Sequence, residues 1–317
     1  VARLPAAWPA LRRLVRPRLA VVLGGGAALG AVEAGAIEAF RRHGIVPDLL
    51  VGTSVGAINA AFWAFDAEPA NVHRLLHLWT RADRSTMVPD HGIAMLGRVA
   101  QARSALTGQR GVARMIQAAG LEDALIEESR IPLVVVATDA GSGERVVMRR
   151  GPLLPALLAS SAIPVLYPAV ELDGRRLMDG SVVANCDVDA AVEAGMTDVL
   201  AVDVMGDAPE TGESLWDAGD RALRAMLRRQ TDLAVRSLRG RARIAVLRPA
   251  VPVGARLDDF SRTAELYWAG RDAAEAFLAG TDQFRRWQRA QPVLRAPSSG
   301  AGPVAPSGSD LRTSPPP

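Results

Sequence analysis

Two strand–turn–helix units follow each other in residues 19–65, and they leave the chain few folds to choose from. Leu19 to Leu23 (LAVVL) is an unbroken apolar run of the kind buried on both faces of a parallel sheet. A glycine-rich turn follows, then an Ala-rich stretch over 28–42 with helical composition, which Gly44 stops. Residues 48–51 (DLLV) form a second short strand, followed at once by Gly52-Thr53-Ser54-Val55-Gly56 and a helix running to about Phe65. Strand patterns return at 133–138, 145–148, 197–204 and 243–247. Helices are expected at 152–161, 188–195, 214–238 and 258–280, with Pro164 and Pro168 bracketing a loop. Residues 71–130 read as helices broken by loops around Pro89 and 108–111. Strand–helix alternation without an internal repeat predicts one layered α/β domain.

Composition enters as a filter on chemistry. The 317 residues carry 37 basic and 34 acidic side chains, a net charge of +3, which is no nucleic-acid footprint. Every basic side chain is arginine, since the chain contains no lysine. One cysteine, Cys186, excludes an internal disulfide framework and any thiolate cluster for a metal. The apolar runs are too short to span a bilayer, so a cytoplasmic protein is expected, with at most peripheral contact with a membrane. Residues 1–18 mix arginines and prolines with Trp8, Leu11 and Leu14 and read as a basic N-terminal arm. Residues 19–290 form the expected domain, and 291–317, rich in Pro, Ser and Gly, an expected disordered tail.

The second turn matches G-x-S-x-G between an apolar strand and a helix. Gly52 and Gly56 permit a tight turn that lifts the Ser54 hydroxyl out of the sheet and sets it at a helix N-terminus, which favours developing negative charge. The alternative is a glycine-flanked helix cap, a common use of serine. The first turn, Gly24-Gly25-Gly26-Ala27, could cradle a phosphate or an oxyanion. A P-loop is excluded without lysine, and Leu29 replaces the third glycine of a dinucleotide fingerprint. An oxyanion loop is the stronger reading, because adjacent parallel strands would bring both turns to one sheet edge.

A serine nucleophile needs a base. The four histidines, His43, His73, His77 and His91, all precede residue 92, so a triad ending in a late histidine is excluded. His43 is expected at the surface after the first helix; His73 and His77 are a solvated or packed pair four residues apart, without a third metal-ligand motif. The search moves to carboxylates, and the best is Asp179, followed by Gly180. Taken locally, Asp179-Gly180 reads as a hairpin turn.

Together the three pieces resemble the patatin-like phospholipase family, in which a glycine-rich loop, a G-x-S-x-G serine and a D-G-[GA] aspartate occur in this order. Here they are Gly24-Gly25-Gly26, Gly52-Thr53-Ser54-Val55-Gly56 and Asp179-Gly180-Ser181, with Ala159-Ser160-Ser161-Ala162-Ile163-Pro164 and Val183-Ala184-Asn185 also similar, across residues 19–204. The resemblance implies a three-layer α/β patatin-like fold with a mostly parallel central sheet flanked by helices. It implies a Ser–Asp dyad that hydrolyses lipid acyl esters without metal or other cofactor. Ser54 would be the nucleophile, Asp179 the base, and Gly24, Gly25, Gly26 and Ala27 the oxyanion loop. Three departures stand out: Leu29 where the family carries arginine, Ser181 where it carries glycine or alanine, and Cys186-Asp187 where it carries an apolar residue and proline. Leu29 bears on head-group contacts or loop anchoring; Cys186 is expected to be a packing residue.

A lipid ester is the implied substrate, with pocket-lining residues expected from the middle segment, 71–130. A non-catalytic lipid-binding or interaction protein, and a soluble carboxylesterase or thioesterase, are the alternatives. One further feature stands apart. Arg221, Arg224, Arg228, Arg229, Arg236, Arg239 and Arg241 accompany Leu223, Met226, Leu227 and Leu233 on an expected helix. The expected arrangement is an apolar stripe facing the core and a solvated basic face; the alternative is contact with anionic lipid.

Overall fold

The computed structural model describes residues 18–66, 74–81, 108–206 and 214–280. The expected basic arm lies outside these residues except for Arg18, and the Pro-rich tail, His73 and His91 lie outside them entirely.

The apolar runs form the centre of one sheet. Strands β1 (Leu19–Leu23), β2 (Leu49–Thr53), β3 (Leu133–Asp139) and β4 (Arg145–Met148) are followed by β5 (Val170–Leu172), β6 (Arg175–Asp179), β7 (Asp198–Val202) and β8 (Arg243–Leu247). Their pairing path is β5-β6-β3-β2-β1-β7-β8, with β4 on β3. The run from β3 through β8 is parallel, while β4, β5 and β6 are antiparallel to their neighbours. Every residue of β1, β2 and β7 is buried, as parallel strands covered on both faces must be.

The covering layers come from α1 (Gly30–Arg42), α2 (Val55–Phe65), α3 (Arg74–Thr80), α4 (Arg110–Ala118), α5 (Leu153–Ser160), α6 (Val188–Glu193), α7 (Leu215–Ser237) and α8 (Thr263–Gly280). Alternation along the strands sorts side chains into two cores. Leu19, Val21 and Leu23 join α1, α2 and α8 in one, whereas Ala20 and Val22 join α6 in the other. Helix α7 contributes Leu227 to the first, and Leu238, just past its C-terminus, joins the second. The layered α/β fold with a mostly parallel central sheet is therefore the observed one.

Helices α1 and α8 meet backbone to backbone. A Cβ at Gly35 would overlap the Tyr267 carbonyl, and one at Gly270 the Val32 carbonyl. The two glycines lie at one crossing, where a side chain on either helix would force the pair apart. None of the described helices is long and apolar enough to cross a membrane.

Strands β5 and β6 were not legible in the sequence. Their residues are mostly half-buried or exposed, so no apolar run marks them. They join through Asp173 and Gly174, with φ of 51° and 74°, the positive pair a tight two-residue hairpin turn requires. The Asp-Gly hairpin is thus at 173–174. The turn reading of Asp179-Gly180 is corrected: Asp179 ends β6, and Gly180 opens a short 3-10 turn, Gly180–Val182.

Helix α7 also departs from expectation. Its buried stripe is Arg224, Leu227 and Thr231, continued by Leu238 just past its end, whereas Leu223, Met226 and Leu233 are exposed. Arg239 and Arg241 lie beyond its C-terminus. Leucines sit on several sides of this helix, so the sequence alone did not say which side faces inward. Arg224 is held inside by Asp220, one turn earlier, and by the Ala255 carbonyl at 3.0 Å.

Candidate active site

The pairing of β3 explains how two distant segments meet. Residues 133–136 of β3 pair with β2, residues 137–139 pair with β6, and β4 pairs across 135–138. A strand has two edges, so β2 and β6 must share one, end to end and running toward each other. Ser54, just past β2, and Asp179, at the end of β6, lie where the two strands converge. Gly180 is needed at this junction, since a Cβ there would crowd the Val136 carbonyl at 2.5 Å and the Thr53 methyl at 2.9 Å.

Ser54 caps α2 with φ 54° and ψ −125°, a conformation sparsely populated by residues with a side chain. Gly52 and Gly56 allow this turn. A Cβ at Gly52 would strike the Ala57 backbone, and one at Gly56 the Leu23 and Gly24 carbonyls, so α2 starts against the first turn. The Ser54 amide donates to Ser160 Oγ at 2.8 Å, and that hydroxyl donates to the Val136 carbonyl at 2.6 Å. Ser160 therefore anchors the strained turn to β3. Its role was missed in the sequence, where it was noted only as part of the A-S-S-A-I-P segment.

The Ser54 hydroxyl donates to Asp179 Oδ2 at 2.6 Å. The other carboxylate oxygen, Oδ1, accepts the Ser181 amide at 2.8 Å. Both side chains are nearly inaccessible, at 4% and 3% exposure. Burial pushes the Asp179 pKa up, and hydrogen bonds from Ser54 and Ser181 partly oppose this. The carboxylate is thereby a stronger base than a solvated one. The described histidines, His43 and His77, stand elsewhere: His43 caps the end of α1 beside Glu275, and His77 is exposed on α3.

The glycine turn reaches the site, but not with all four amides expected of it. The Gly24 amide donates to the Val202 carbonyl and the Gly25 amide to the Asn185 carbonyl, each at 3.1 Å. These two are used in holding the loop, which corrects their assignment as oxyanion donors. Ala28 donates to the Leu257 carbonyl and Leu29 to the Gly26 carbonyl. That leaves Gly26 and Ala27, whose amides have no partner among the described residues. Ala27 itself has φ 45°, a second strained position facing the first. Gly25 is hemmed in: a Cβ would collide with Ser181 Oγ and come within 2.9 Å of Asn185 Oδ1 and 3.2 Å of Ser54 Cβ.

Two supports behind the loop carried no sequence signal. Gln230 of α7 accepts the Asn185 amide at 3.1 Å and donates to the Val182 carbonyl at 3.2 Å, tying the segment after Asp179 to that helix. Glu33, fully buried on α1, accepts from the Asn59 amide at 2.9 Å, and Trp79 donates to Asn59 at 2.9 Å. Burial raises the Glu33 pKa well above the ordinary range, with the Asn59 and Gly24 hydrogen bonds pulling against it. Leu29 is buried in the first core rather than facing the site. Cys186 is likewise buried and packs in the second core.

Ser54 and Asp179 sit in a cleft of about 530 Å³, including its open mouth. Apart from the glycine loop and Ser181, its walls are apolar: Ile163, Pro164, Val182, Met205, Leu223, Leu227 and Leu257. None of these described lining residues comes from 71–130, the expected source of the lining, of which 71–73 and 82–107 lie outside the described residues. The cleft lies outside the C-terminal ends of parallel strands, where β1 separates β2 and β3 from β7 and β8, the usual ligand position in such sheets. Among the described residues no group of three or more His, Cys, Asp and Glu could hold a metal ion.

The fold and site together define an α/β protein with a serine on a strained strand-to-helix turn, paired with a buried carboxylate. A family profile described as patatin-like phospholipase matches residues 21–192, and the chain belongs to that family. It is 30% identical over 210 residues to the human patatin-like phospholipase domain-containing protein 6, covering 65% of this chain and 14% of that protein. It is 32% identical over 178 residues to an NTE family protein of Mycobacterium bovis, covering 53% of this chain and 43% of that one. The chain thus spans about one seventh of the human relative and under half of the mycobacterial one. Among solved structures, VipD from Legionella pneumophila aligns with a TM-score of 0.45 at 12% identity, over 84% of this chain and 67% of that one. The ExoU–SpcU complex of Pseudomonas aeruginosa aligns at 0.37 and 18% identity, over 86% of this chain and 52% of that chain.

Proposed function

We infer that the protein is a serine acyl hydrolase that cleaves acyl esters of lipids through a Ser54–Asp179 dyad. The observation that carries the reading is the 2.6 Å hydrogen bond from Ser54 Oγ to a desolvated Asp179 at the floor of an apolar cleft. Asp179 Oδ2 takes the hydroxyl proton as Ser54 Oγ bonds to the acyl carbon, and the carbonyl electrons move onto oxygen. The free amides of Gly26 and Ala27 are the donors available to that oxyanion, each such donor being worth roughly 3–4 kcal/mol. Collapse breaks the bond to the leaving alcohol, which receives the proton from Asp179. A water molecule then attacks the acyl-serine, giving its proton to Asp179, and the released Ser54 recovers it as the free acid departs.

The apolar walls favour a fatty acyl chain over a polar acyl group. Family membership supports the lipid class, and no metal or organic cofactor is called on for any step. Hydrolysis of phospholipid vesicles and of a short water-soluble ester is the test. Ser54→Ala and Asp179→Asn should each abolish both activities, and a fluorophosphonate should label Ser54. Turnover that survives either substitution overturns the dyad.

A further inference from the structure

The outward face of α7 carries large apolar side chains among its arginines, where a soluble helix would be polar. Leu223, Met226 and Leu233 are 44%, 65% and 50% exposed, while the inward stripe of the same helix holds Arg224 and Thr231. Met226, Arg229, Leu233 and Arg236 are spaced 3, 4 and 3 residues apart, so they form one line along the helix, apolar and basic in turn. The line is about 15 Å long at 1.5 Å per residue. Arg229 and Arg236 are exposed, and neither has an ion-pair partner among the described residues. This face is continuous with the cleft, because Leu223 and Val182 line the cleft and are also exposed, Val182 at 42%. Val165, next to the cleft residue Pro164, adds a 71% exposed side chain.

We propose that the outer face of α7 is a docking surface for an anionic lipid bilayer, holding the cleft mouth against the membrane. Leu223, Met226 and Leu233 enter the boundary between headgroups and acyl chains, and Arg229 and Arg236 pair with lipid phosphates. Charge complementarity and continuity with the cleft select this occupant. A docked α7 lets an acyl chain pass from the bilayer into the cleft along Leu223 and Val182 without crossing water. The proposal deepens the lipid-ester reading and rests on it for the choice of a bilayer.

The test is flotation of the full chain with vesicles of phosphatidylcholine, alone or mixed with phosphatidylglycerol. The unmodified protein should float with the mixed vesicles and less with the neutral ones. Met226→Glu with Leu233→Glu should weaken partitioning roughly tenfold or more. Arg229→Gln with Arg236→Gln should remove the preference for phosphatidylglycerol. Neither pair lies in the cleft, so hydrolysis of a short soluble ester and the melting temperature should stay at their original values in both. Unchanged vesicle binding by the acidic pair overturns the proposal. So does a shift of that pair from dimer to monomer on size exclusion, which would make the face a contact between copies. Ser54→Ala should float normally. If no ester is cleaved yet the α7 pairs still lose vesicle binding, the docking surface stands and the hydrolase reading falls.

Discussion

The two halves of the proposed dyad are built in opposite ways. Ser54 is placed by local geometry: a buried parallel strand, a turn with glycines on both sides, and a helix start that holds the serine at φ 54°. Asp179 is placed by pairing across the fold, through a hairpin strand whose backbone meets β3 only at residues 137–139. The anchors differ accordingly. The serine arm hangs on a buried side chain, Ser160, whereas the aspartate arm is held at Asp179 by hydrogen bonds from the Ser181 amide and the Thr138 hydroxyl. Strain is stored on one arm and desolvation on the other. Each raises the energy of the resting site, and surrounding contacts must compensate for both.

The largest test of this contrast is to remove each half. Ser54→Ala and Asp179→Asn should each cut ester hydrolysis by on the order of a thousandfold or more, but their effects on stability should have opposite signs. Burial raises the folded-state pKa of Asp179, so its stabilising contribution is complete below the unfolded-state pKa and is lost as pH rises through the folded one. Asp179→Asn should therefore raise the melting temperature near pH 7 and bring no gain below about pH 4. Ser54→Ala deprives the same carboxylate of a donor and should lower it. A melting temperature near neutrality that falls in both variants would show that desolvation is not the dominant cost at Asp179.

Ser160→Ala comes next. It leaves the buried Ser54 amide without its acceptor, which should cost about 1–3 kcal/mol in denaturant unfolding. Because the turn would relax, kcat should drop by roughly tenfold or more, with KM little changed. On the aspartate arm, Thr138→Val removes one hydrogen bond to the Asp179 carbonyl and should cost only about 1 kcal/mol. Equal losses in kcat from these two substitutions would contradict the claim that the serine arm hangs on Ser160. The finest measurement is the acid limb of kcat/KM for the unmodified protein. It should fall with a midpoint above the ordinary aspartate pKa of about 3.9, since the proposed mechanism requires ionised Asp179 and burial opposes ionisation.

Much of the fold was legible for a simple reason. Residues 19–23, 49–53, 133–138 and 198–202 are buried on both faces, and such strands show as apolar runs without help from context. The hairpin carrying Asp179 escaped notice because Arg175 and Arg176 are exposed and its turn uses a common Asp-Gly pair. Helix α7 was legible as a helix but misread as to its face. Arg224 could be buried only because Asp220 and the Ala255 carbonyl were there to receive it, and the latter lies 31 residues away. The glycine turn was legible as a turn beside the serine, yet which of its amides are tied up depended on acceptors at Val202 and Asn185 that no glycine count reveals.

By itself, then, the sequence determined the layered α/β class, the position of the serine turn, and the chemistry it could not use. Without lysine there was no P-loop, and without a histidine beyond residue 91 there was no late-histidine triad. These conclusions rest on residue identity and local backbone geometry, which act over a few positions. Only the tertiary structure decided that β6 meets β2 end to end on β3, that Gly26 and Ala27 keep their amides free of partners among the described residues, and that α7 turns Leu223 and Leu233 outward while burying Leu227. Each of those is a matter of partners far apart in the chain, and long-range pairing and burial are set by the whole packed fold rather than by any segment of it.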